Sequence, residues 1–401
     1  MNHHPRTTRH GAVSETGPDD YVIRVIDDPT AMDMTAWDAL LAVQPSPTPF
    51  MRAHYLSGLH ASHSAWPRSG WTPRFVTLWR DNTLQAAAPA YLKTHSWGEY
   101  VFDWAWADAY QRHGLRYYPK LLIAVPFTPV PGTRLMARDD RARRALAKAL
   151  HAFALEHTLS SAHVLFHDDA DAQALREAGW LERHNVQFHW TREAAGAPAT
   201  FEAFLKQLQR EKRKKIQQER RKVADAGVAF TAHEGAEITG ELWDFFHRCY
   251  VLTYQDHGST PYLTRAFFAA MAQQMAEHWL LFVARIGGEP VAVSLITIDR
   301  ARKAAFGRYW GATRFIDCLH FEACYYQPLQ WCIEHGIERF EGGAQGEHKM
   351  ARGLLPAATA SSHWLAHPAF ARAIDEFLHA ERAGVRGYVD ELNERLPFRA
   401  A

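Results

Sequence analysis

The chain has 401 residues with 45 Lys and Arg against 44 Asp and Glu, and 47% of it is hydrophobic. This length predicts two or three domains with ample core. The net charge of +1 argues against duplex DNA as a bulk electrostatic partner. Every apolar run is shorter than the roughly 18 residues of a membrane-spanning helix, so no membrane span is predicted.

The cysteines and the N-terminus indicate the cellular setting. Cys249, Cys318, Cys324 and Cys332 show no CxxC spacing, so neither a metal site nor a disulfide framework is predicted, and a reducing cytoplasm fits best. Residues 1–20 are polar and lack an apolar segment. This composition predicts a disordered tail and argues against a signal peptide.

Strand and helix patterns alternate from residue 21 to 190. Strands are predicted at 21–26, 74–79, 83–93, 162–166 and 186–190, and helices at 33–43, 51–60, 139–157 and 170–178. Aromatic residues cluster from Tyr100 to Tyr110, around Asp103 and Trp104. The cluster fits either a strand and loop that pack rings inward or a ligand-binding surface. Residues 191–200 are the predicted linker.

A similar order of elements follows residue 200. The patterns predict a helix at 201–226, a strand at 228–232, helices at 241–254 and 264–278, and paired strands at 280–286 and 289–299. At an offset of 207 residues Phe75-Val76 falls on Phe282-Val283, and the hairpin turns coincide; one residue further out, Tyr117-Tyr118 falls on Tyr325-Tyr326. We therefore predict an α/β protein with mixed sheets and two related lobes, residues 21–195 and 196–401.

The predicted helix at 201–226 is long and basic and lies between the two lobes. Nine Lys and Arg residues occur within residues 206–222, and only two Glu residues oppose them. Because residues 209–215 contain no apolar side chain, this section faces either solvent or an anion. Arg213 and Lys214 are typical of a surface that binds phosphate, pyrophosphate or an RNA backbone.

The densest group of reactive side chains lies between residues 304 and 353. The pattern predicts a strand at 304–309, a helix at 319–335 that Pro328 interrupts, and a short strand at 337–341. A glycine-rich loop then carries polar side chains that can crowd a ligand, namely Gln345, Glu347, His348, Lys349 and Arg352. The alternative interpretation is a polar surface loop.

Four segments resemble one enzyme family. They are LHFEACYYQPLQWCIEHGIERFEGGAQGEHKMARG (319–353), REKRKKIQQERRKVADAGV (210–228), FDWAWADAY (102–110) and PFTPVPGTRL (126–135). Together they resemble the FemABX-like branch of the GNAT acyltransferases, and within it the FemAB-like peptidoglycan biosynthesis/recognition N-acyltransferases. The resemblance covers roughly residues 20 to 380 and implies tandem GNAT-like lobes.

The resemblance also implies a reaction, the transfer of an acyl or aminoacyl group to an amine. The donor is an acyl-CoA or an aminoacyl-tRNA, and the acceptor amine belongs to a cell-wall precursor in the family proper. A transfer RNA would contact the basic helix. In the pyrophosphate loop of acetyl-CoA-using relatives, Gly or Ala is expected where this chain has Thr313 after Arg308 and Gly311, so acetyl-CoA binding is put in question.

Particular residues are predicted to carry the reaction. His348 or Glu347 is the predicted general base, and Lys349 is predicted to stabilise the oxyanion. The donor and substrate contacts are predicted at Arg308, Trp310, Glu322, Tyr326, Gln345, Arg352, Asp103, Trp104, Arg213 and Lys214. The alternative function is a non-catalytic module that binds peptidoglycan fragments or RNA. The sequence leaves the donor, the acceptor and the oligomeric state open.

Overall fold

A computed structural model describes residues 21–343 and 346–399 of the chain. Fourteen helices and strands belong to its first half. They are β1 Val22–Ile26, α1 Met34–Ala42, α2 Ala53–Ala61, β2 Trp71–Pro73, β3 Phe75–Arg80, β4 Thr83–Ala88, β5 Ala90–Lys93, α3 Trp104–Arg112, β6 Lys120–Ile123, β7 Met136–Ala137, α4 Asp140–Glu156, β8 Ser161–His167, α5 Asp169–Glu177 and β9 Leu181–Thr191.

The second half follows from residue 201. Its elements are α6 Phe201–Gln207, α7 Arg210–Asp225, β10 Val228–Glu234, α8 Gly240–Asp256, α9 Arg265–Gln274, β11 Trp279–Ile286, β12 Glu289–Asp299, β13 Ala304–Ala312, α10 Leu319–Phe321, a π-helical turn Glu322–Tyr326, α11 Gln327–Glu334, β14 Arg339–Glu341, β15 Leu355–Leu365 and α12 Pro368–Glu394. Short 3₁₀ turns occur at Pro29–Ala31, Pro49–Met51, Pro67–Ser69, Gly235–Glu237, Ala276–His278 and Glu347–Arg352.

The strands form two sheets. Within the described residues the large sheet has the order β10-β11-β12-β13-β14-β9-β15-β8-β6-β5-β2, and a small sheet has the order β1-β3-β4-β7. The β13–β14 and β6–β8 pairs are parallel and the other pairs are antiparallel. The predicted α/β fold with mixed sheets is therefore confirmed.

The two halves of the chain share the large sheet. β9, from the first half, pairs with β14, and β15, near the C-terminus, lies between β9 and β8. Neither β15 nor α12 was predicted from the sequence. The boundary at residue 195 falls just after β9 and stays a prediction, since the sheet runs through both halves.

Three sequence predictions need correction. The basic helix is two helices, because Leu208 is extended and forms an isolated bridge with Phe398, which ends α6 before α7 begins. The aromatic segment from 100 to 110 forms helix α3 from Trp104 onward, and the predicted strand is absent from this described stretch. Tyr117 precedes strand β6, whereas Tyr325 lies in a π-helical turn, so the two tyrosine pairs are not equivalent.

The helix predicted at 319–335 is present with an interruption. The π-helical turn Glu322–Tyr326 separates α10 from α11, and Pro328 lies in the first turn of α11. Pro lacks a backbone N–H and its ring clashes with the preceding turn, so the hydrogen-bond pattern changes where the sequence predicted a kink.

Aromatic packing joins the two lobes. The ring of Phe50 contacts that of Phe306 at a centroid distance of 5.4 Å, and the ring of Tyr55 contacts that of Phe267 at 5.3 Å. All four side chains are almost fully buried. β13 therefore lies at the centre of a core to which both lobes contribute. Over the described part of the chain, no helix has the length and apolar character needed to cross a bilayer.

Candidate functional site

The large sheet opens between β13 and β14. The two strands pair in parallel only where Ala304–Phe306 meets Arg339–Glu341. β13 then continues to Ala312, whereas β14 ends and the chain turns away at Gly342. Among the described residues no strand pairs with this side of β13 beyond Phe306. An edge without a partner strand presents backbone groups to a ligand, so we call this space the strand opening.

A β-bulge shapes one wall of the strand opening. Leu295 of β12 faces Tyr309, and its neighbour Ile296 faces Gly307, so Arg308 is the extra residue. A bulge bends the strand and re-aims side chains, and bulges are common beside active sites.

The Arg308 guanidinium points to the interface between the lobes. It donates hydrogen bonds to the carbonyl of Phe127 (2.8 Å), to Thr128 Oγ1 (3.3 Å) and to the hydroxyl of Tyr309 (3.0 Å). Both lobes contribute tyrosines around it, namely Tyr55, Tyr100, Tyr250, Tyr254, Tyr262 and Tyr309. Arg308 therefore lies within an aromatic cluster to which both lobes contribute.

The 3₁₀ turn Glu347–Arg352 closes the other wall. Within it Lys349 is only 2% exposed, and its Nζ donates to the carbonyl of Gly343 at 2.8 Å. Burial lowers the pKa of Lys349 to about 8, and the nearby Cys324 thiol acts weakly against this shift. A lysine in this environment exchanges a proton near neutral pH.

His348 lies at the exposed rim of the same turn. Its Nε2 is 3.2 Å from the hydroxyl of Tyr325. Burial lowers the pKa of His348, with further lowering from Arg352 and Lys349, so the neutral imidazole is favoured. Gly346 has a φ of +118°, and a Cβ there would lie 2.4 Å from the imidazole Cε1. The ring therefore occupies space that only a glycine leaves free.

Helix α7 is fastened to the turn and to the π-helical segment. Arg352 donates from Nη2 to both carboxylate oxygens of Glu219, at 3.1 and 3.0 Å, and the hydroxyl of Tyr326 donates to the same carboxylate. Arg220 donates to Glu322 at 3.1 Å. The predicted ligands Glu322, Tyr326 and Arg352 thus hold the basic helix in place.

A surface cleft of about 490 Å³ opens beside the end of β13. Trp310 and His320 line it, with ring centroids 5.1 Å apart, and Phe315 is 96% exposed at its rim. Burial lowers the pKa of His320 to about 4, so its ring is neutral near pH 7. Trp310 therefore lines a surface cleft, and its role in binding the donor stays a prediction.

Gly311 and Thr313, which match the pyrophosphate loop, contact the elements that neighbour β13. A Cβ on Gly311 would lie 2.2 Å from the carbonyl oxygen of Cys249, so the glycine permits α8 to approach the strand. The N–H of Thr313 donates to the carbonyl of Val291 at 2.8 Å. That N–H is therefore occupied and does not face a ligand.

Glu341 ends β14 at the base of the strand opening. Its side chain is buried, and neither carboxylate oxygen has a hydrogen-bond partner among the described residues. Burial raises the pKa of Glu341 to about 7, although the charges of Arg339, Arg308 and Arg134 act against this shift. A carboxylate in this state is suited to acid–base chemistry.

Comparison with known families now places the chain. The family model for FemAB-like proteins, described as peptidoglycan biosynthesis/recognition, matches residues 28–400. The chain belongs to the FemAB-like family. Membership confirms the predicted family and supports the predicted acyltransferase activity. Among curated proteins no sequence matches this FemAB-like chain.

Solved structures agree with the fold of this FemAB-like chain. The crystal structure of FemX matches with a TM-score of 0.53 at 10% identity, over 86% of this chain and 98% of that one. L-PGS from Bacillus licheniformis matches with a TM-score of 0.54 at 10% identity, over 90% and 97%. A conserved protein of unknown function from Bacteroides thetaiotaomicron matches with a TM-score of 0.51 at 14% identity, over 86% and 99%.

Several predicted site residues lie outside the strand opening. Glu347 is exposed and its carboxylate is 3.8 Å from the guanidinium of Arg395 on the C-terminal side. Asp103 is buried in the first lobe, where Lys120 and Tyr117 donate to it. Trp104 packs edge-on against Trp97 on the surface of the same lobe. Gln345 lies outside the described residues.

The two predicted phosphate-binding residues lie on helix α7. Lys214 is exposed and sits 3.8 Å from Glu211, one turn away. Arg213 is half-buried, and no carboxylate lies within 4 Å of it among the residues described. Both side chains are accessible to an anion, so their role in phosphate binding stays a prediction.

Sequence reasoning overlooked three features of the site. Glu341 resembled an ordinary strand end, although a Glu directly before Gly342-Gly343 at the end of a buried strand is a signal. The inter-lobe tyrosines come from five segments of the sequence, and helical spacing joins only Tyr250 and Tyr254 on α8. His320 lies within the predicted helix at 319–335, where no local pattern marks it as a residue that lines a cleft. No group of three or more His, Cys, Asp or Glu side chains suited to a metal occurs in the described part of the chain.

Proposed function

We propose that this chain is an N-acyltransferase that moves an acyl or aminoacyl group from an activated donor to an amine of a cell-wall precursor, within the strand opening. The observation that carries the proposal is Lys349, a buried lysine at the opening. Its pKa is lowered to about 8, and among the described residues its Nζ has one hydrogen-bond partner, the carbonyl of Gly343. A structural lysine would instead pair with a carboxylate or reach solvent.

The reaction needs a neutral amine, a polarised carbonyl and a stabilised leaving group. Lys349 supplies a cation beside the unpaired edge of β13, where it stabilises the developing oxyanion and protonates the leaving oxygen or sulfur. His348, at the rim and neutral, contacts the incoming substrate by hydrogen bonding. Trp310 and His320 line the cleft through which the donor approaches.

The donor is an acyl-CoA or an aminoacyl-tRNA. Helix α7 favours the aminoacyl-tRNA. The ion pair between Lys222 and Asp317, at 2.7 Å, places the helix at the margin of the donor cleft, and other cations of the helix face solvent. An RNA whose acylated end enters the cleft would lay its phosphates along α7. The occupied N–H of Thr313 weighs against a pyrophosphate at that position.

The test offers purified protein acetyl-CoA or a pool of aminoacylated transfer RNA, each with muramidase-solubilised peptidoglycan fragments as acceptors. Mass spectrometry then detects new amides. We expect product with at least one donor and its loss in Lys349→Met. Binding of fragments without product from any donor would instead support the non-catalytic module and contradict the proposal.

A further inference from the structure

Glu341 is a buried carboxylate that forms no hydrogen bond within the described part of the chain. It is 3% exposed, and both carboxylate oxygens lack a hydrogen bond among the described residues. A buried carboxylate without hydrogen bonds destabilises the fold, and such a group is typical of a site that binds a ligand or carries out a reaction. Its position at the end of β14 places it where the sheet opens.

Two basic groups lie within 4 Å of the Glu341 carboxylate among the described residues, and neither forms a hydrogen bond with it. Arg339 Nε is 3.4 Å from Oε1, but that guanidinium is nearly half exposed and the distance is long for a charged hydrogen bond. His189 Nε2 is 3.9 Å from Oε2 and 3.1 Å from the side-chain oxygen of Gln187, and burial lowers the pKa of His189 to about 3. The histidine is therefore neutral and supplies no counter-charge.

Two further buried polar atoms near Glu341 also lack partners. The Nε of Arg308 and the Nε of Arg134 have no acceptor among the described residues. Both guanidinium charges act on the Glu341 carboxylate. An unpaired carboxylate and the unpaired N–H groups of two arginines whose charges act on it match a polar group that arrives with the substrate.

We propose that Glu341 is the general base of the transfer proposed above, taking the proton that the acceptor amine loses as its nitrogen attacks the donor carbonyl. This inference rests on the proposed function. The C–N bond forms and the bond from the acyl carbon to the leaving oxygen or sulfur breaks. The electron pair leaves with that atom, which receives a proton from Lys349. The amine proton ends on Glu341, and exchange with solvent restores both groups.

This assignment replaces the sequence-based choice of Glu347 or His348. Glu347 is exposed and faces Arg395, whereas Glu341 is buried at the opening. His189 links the two sides of the site, since its ring lies near Glu341 and responds to the charge of Lys349. Gly342 directly follows Glu341, and a Cβ on it would lie 3.4 Å from Cδ of Lys349, so the base and the proton donor are neighbours.

The experiment compares Glu341→Gln and Glu341→Asp with the control Glu338→Gln, an exposed residue on the same segment that pairs with Lys303. Transfer is measured from pH 6 to 9 with acetyl-CoA and with aminoacylated transfer RNA, using solubilised peptidoglycan as acceptor. We expect Glu341→Gln to lose at least about a hundredfold in rate, Glu341→Asp to recover part of it, and the control to match the wild type.

The thermal midpoint provides a second readout that separates a base from a structural ion pair. We expect Glu341→Gln to melt above the wild type at pH 8, because the amide avoids burying a charge. A lower midpoint at pH 8, or a transfer rate within tenfold of wild type with an unchanged pH profile, would overturn the base assignment alone. A wild-type chain that forms no product with either donor would overturn the proposed function, and the base assignment with it.

Discussion

Arg352 binds the carboxylate of Glu219 through two hydrogen bonds, at 3.0 and 3.1 Å, and so joins the turn that carries Lys349 to the basic helix. Its Nη1 also donates to the carbonyl of His348 at 2.8 Å. One guanidinium thus fixes both the turn and helix α7. The helix that was predicted to bind anions is mechanically coupled to the proposed site of chemistry.

Removal of one partner from the buried pair of Arg352 and Glu219 should lower the stability of the fold. Both side chains are less than a tenth exposed, so Glu219→Gln leaves the Arg352 charge poorly compensated and should lower the free energy of unfolding by about 3 to 5 kcal/mol. Urea denaturation measures the change. Glu211→Gln, in the exposed pair with Lys214 on the same helix, should cost less than about 1 kcal/mol. Equal effects would contradict the coupling.

Lys349→Met should raise stability while it abolishes transfer. The folded-state pKa of Lys349, about 8, lies below the ordinary value of 10.5. The charged ammonium therefore lowers the free energy of unfolding at pH 7, and this destabilisation decreases as the pH rises from 8 to 10.5. We expect the variant to melt above the wild type at pH 7, with the difference shrinking toward pH 10.5. A variant that melts lower at pH 7 would mean that Lys349 is structural.

Gly346→Ala should mimic the loss of His348. The alanine Cβ would meet the imidazole at 2.4 Å, and the φ of +118° disfavours any side chain. Because the substitution acts by displacing the ring, transfer by Gly346→Ala/His348→Ala should equal that of His348→Ala alone. Steady-state rates of the three variants test this. Additive losses would show that the glycine acts independently of the histidine.

Charge reversal on helix α7 should reduce the salt dependence of transfer RNA binding. Lys214 and Lys215 are exposed, so Lys214→Glu/Lys215→Glu should lower the slope of log K against log salt concentration by about 2. The control Arg112→Glu/Arg116→Glu changes two exposed cations of the first lobe. A slope that both pairs change equally would assign the binding to general charge, and an unchanged slope would remove α7 from the interface.

The sequence allowed most elements to be predicted, since local patterns determine them. β12, for example, lies at the predicted residues 289–299, and the turn with His348 and Lys349 lies where the glycine-rich loop was expected. Long-range pairing was not predictable in this way. The insertion of β15 between β9 and β8 involves segments far apart in the chain, and so does the effect of the Arg308 and Arg134 charges on Glu341. Local periodicity carries no information about such contacts.

The most direct test of the account is transfer by wild-type protein and by Lys349→Met, with aminoacylated transfer RNA or acetyl-CoA as donor and solubilised peptidoglycan fragments as acceptor. The account predicts an amide product detected by mass spectrometry with the wild type, and a loss of at least about a hundredfold in rate with the folded variant. Equal rates from both proteins would contradict a catalytic role for the strand opening.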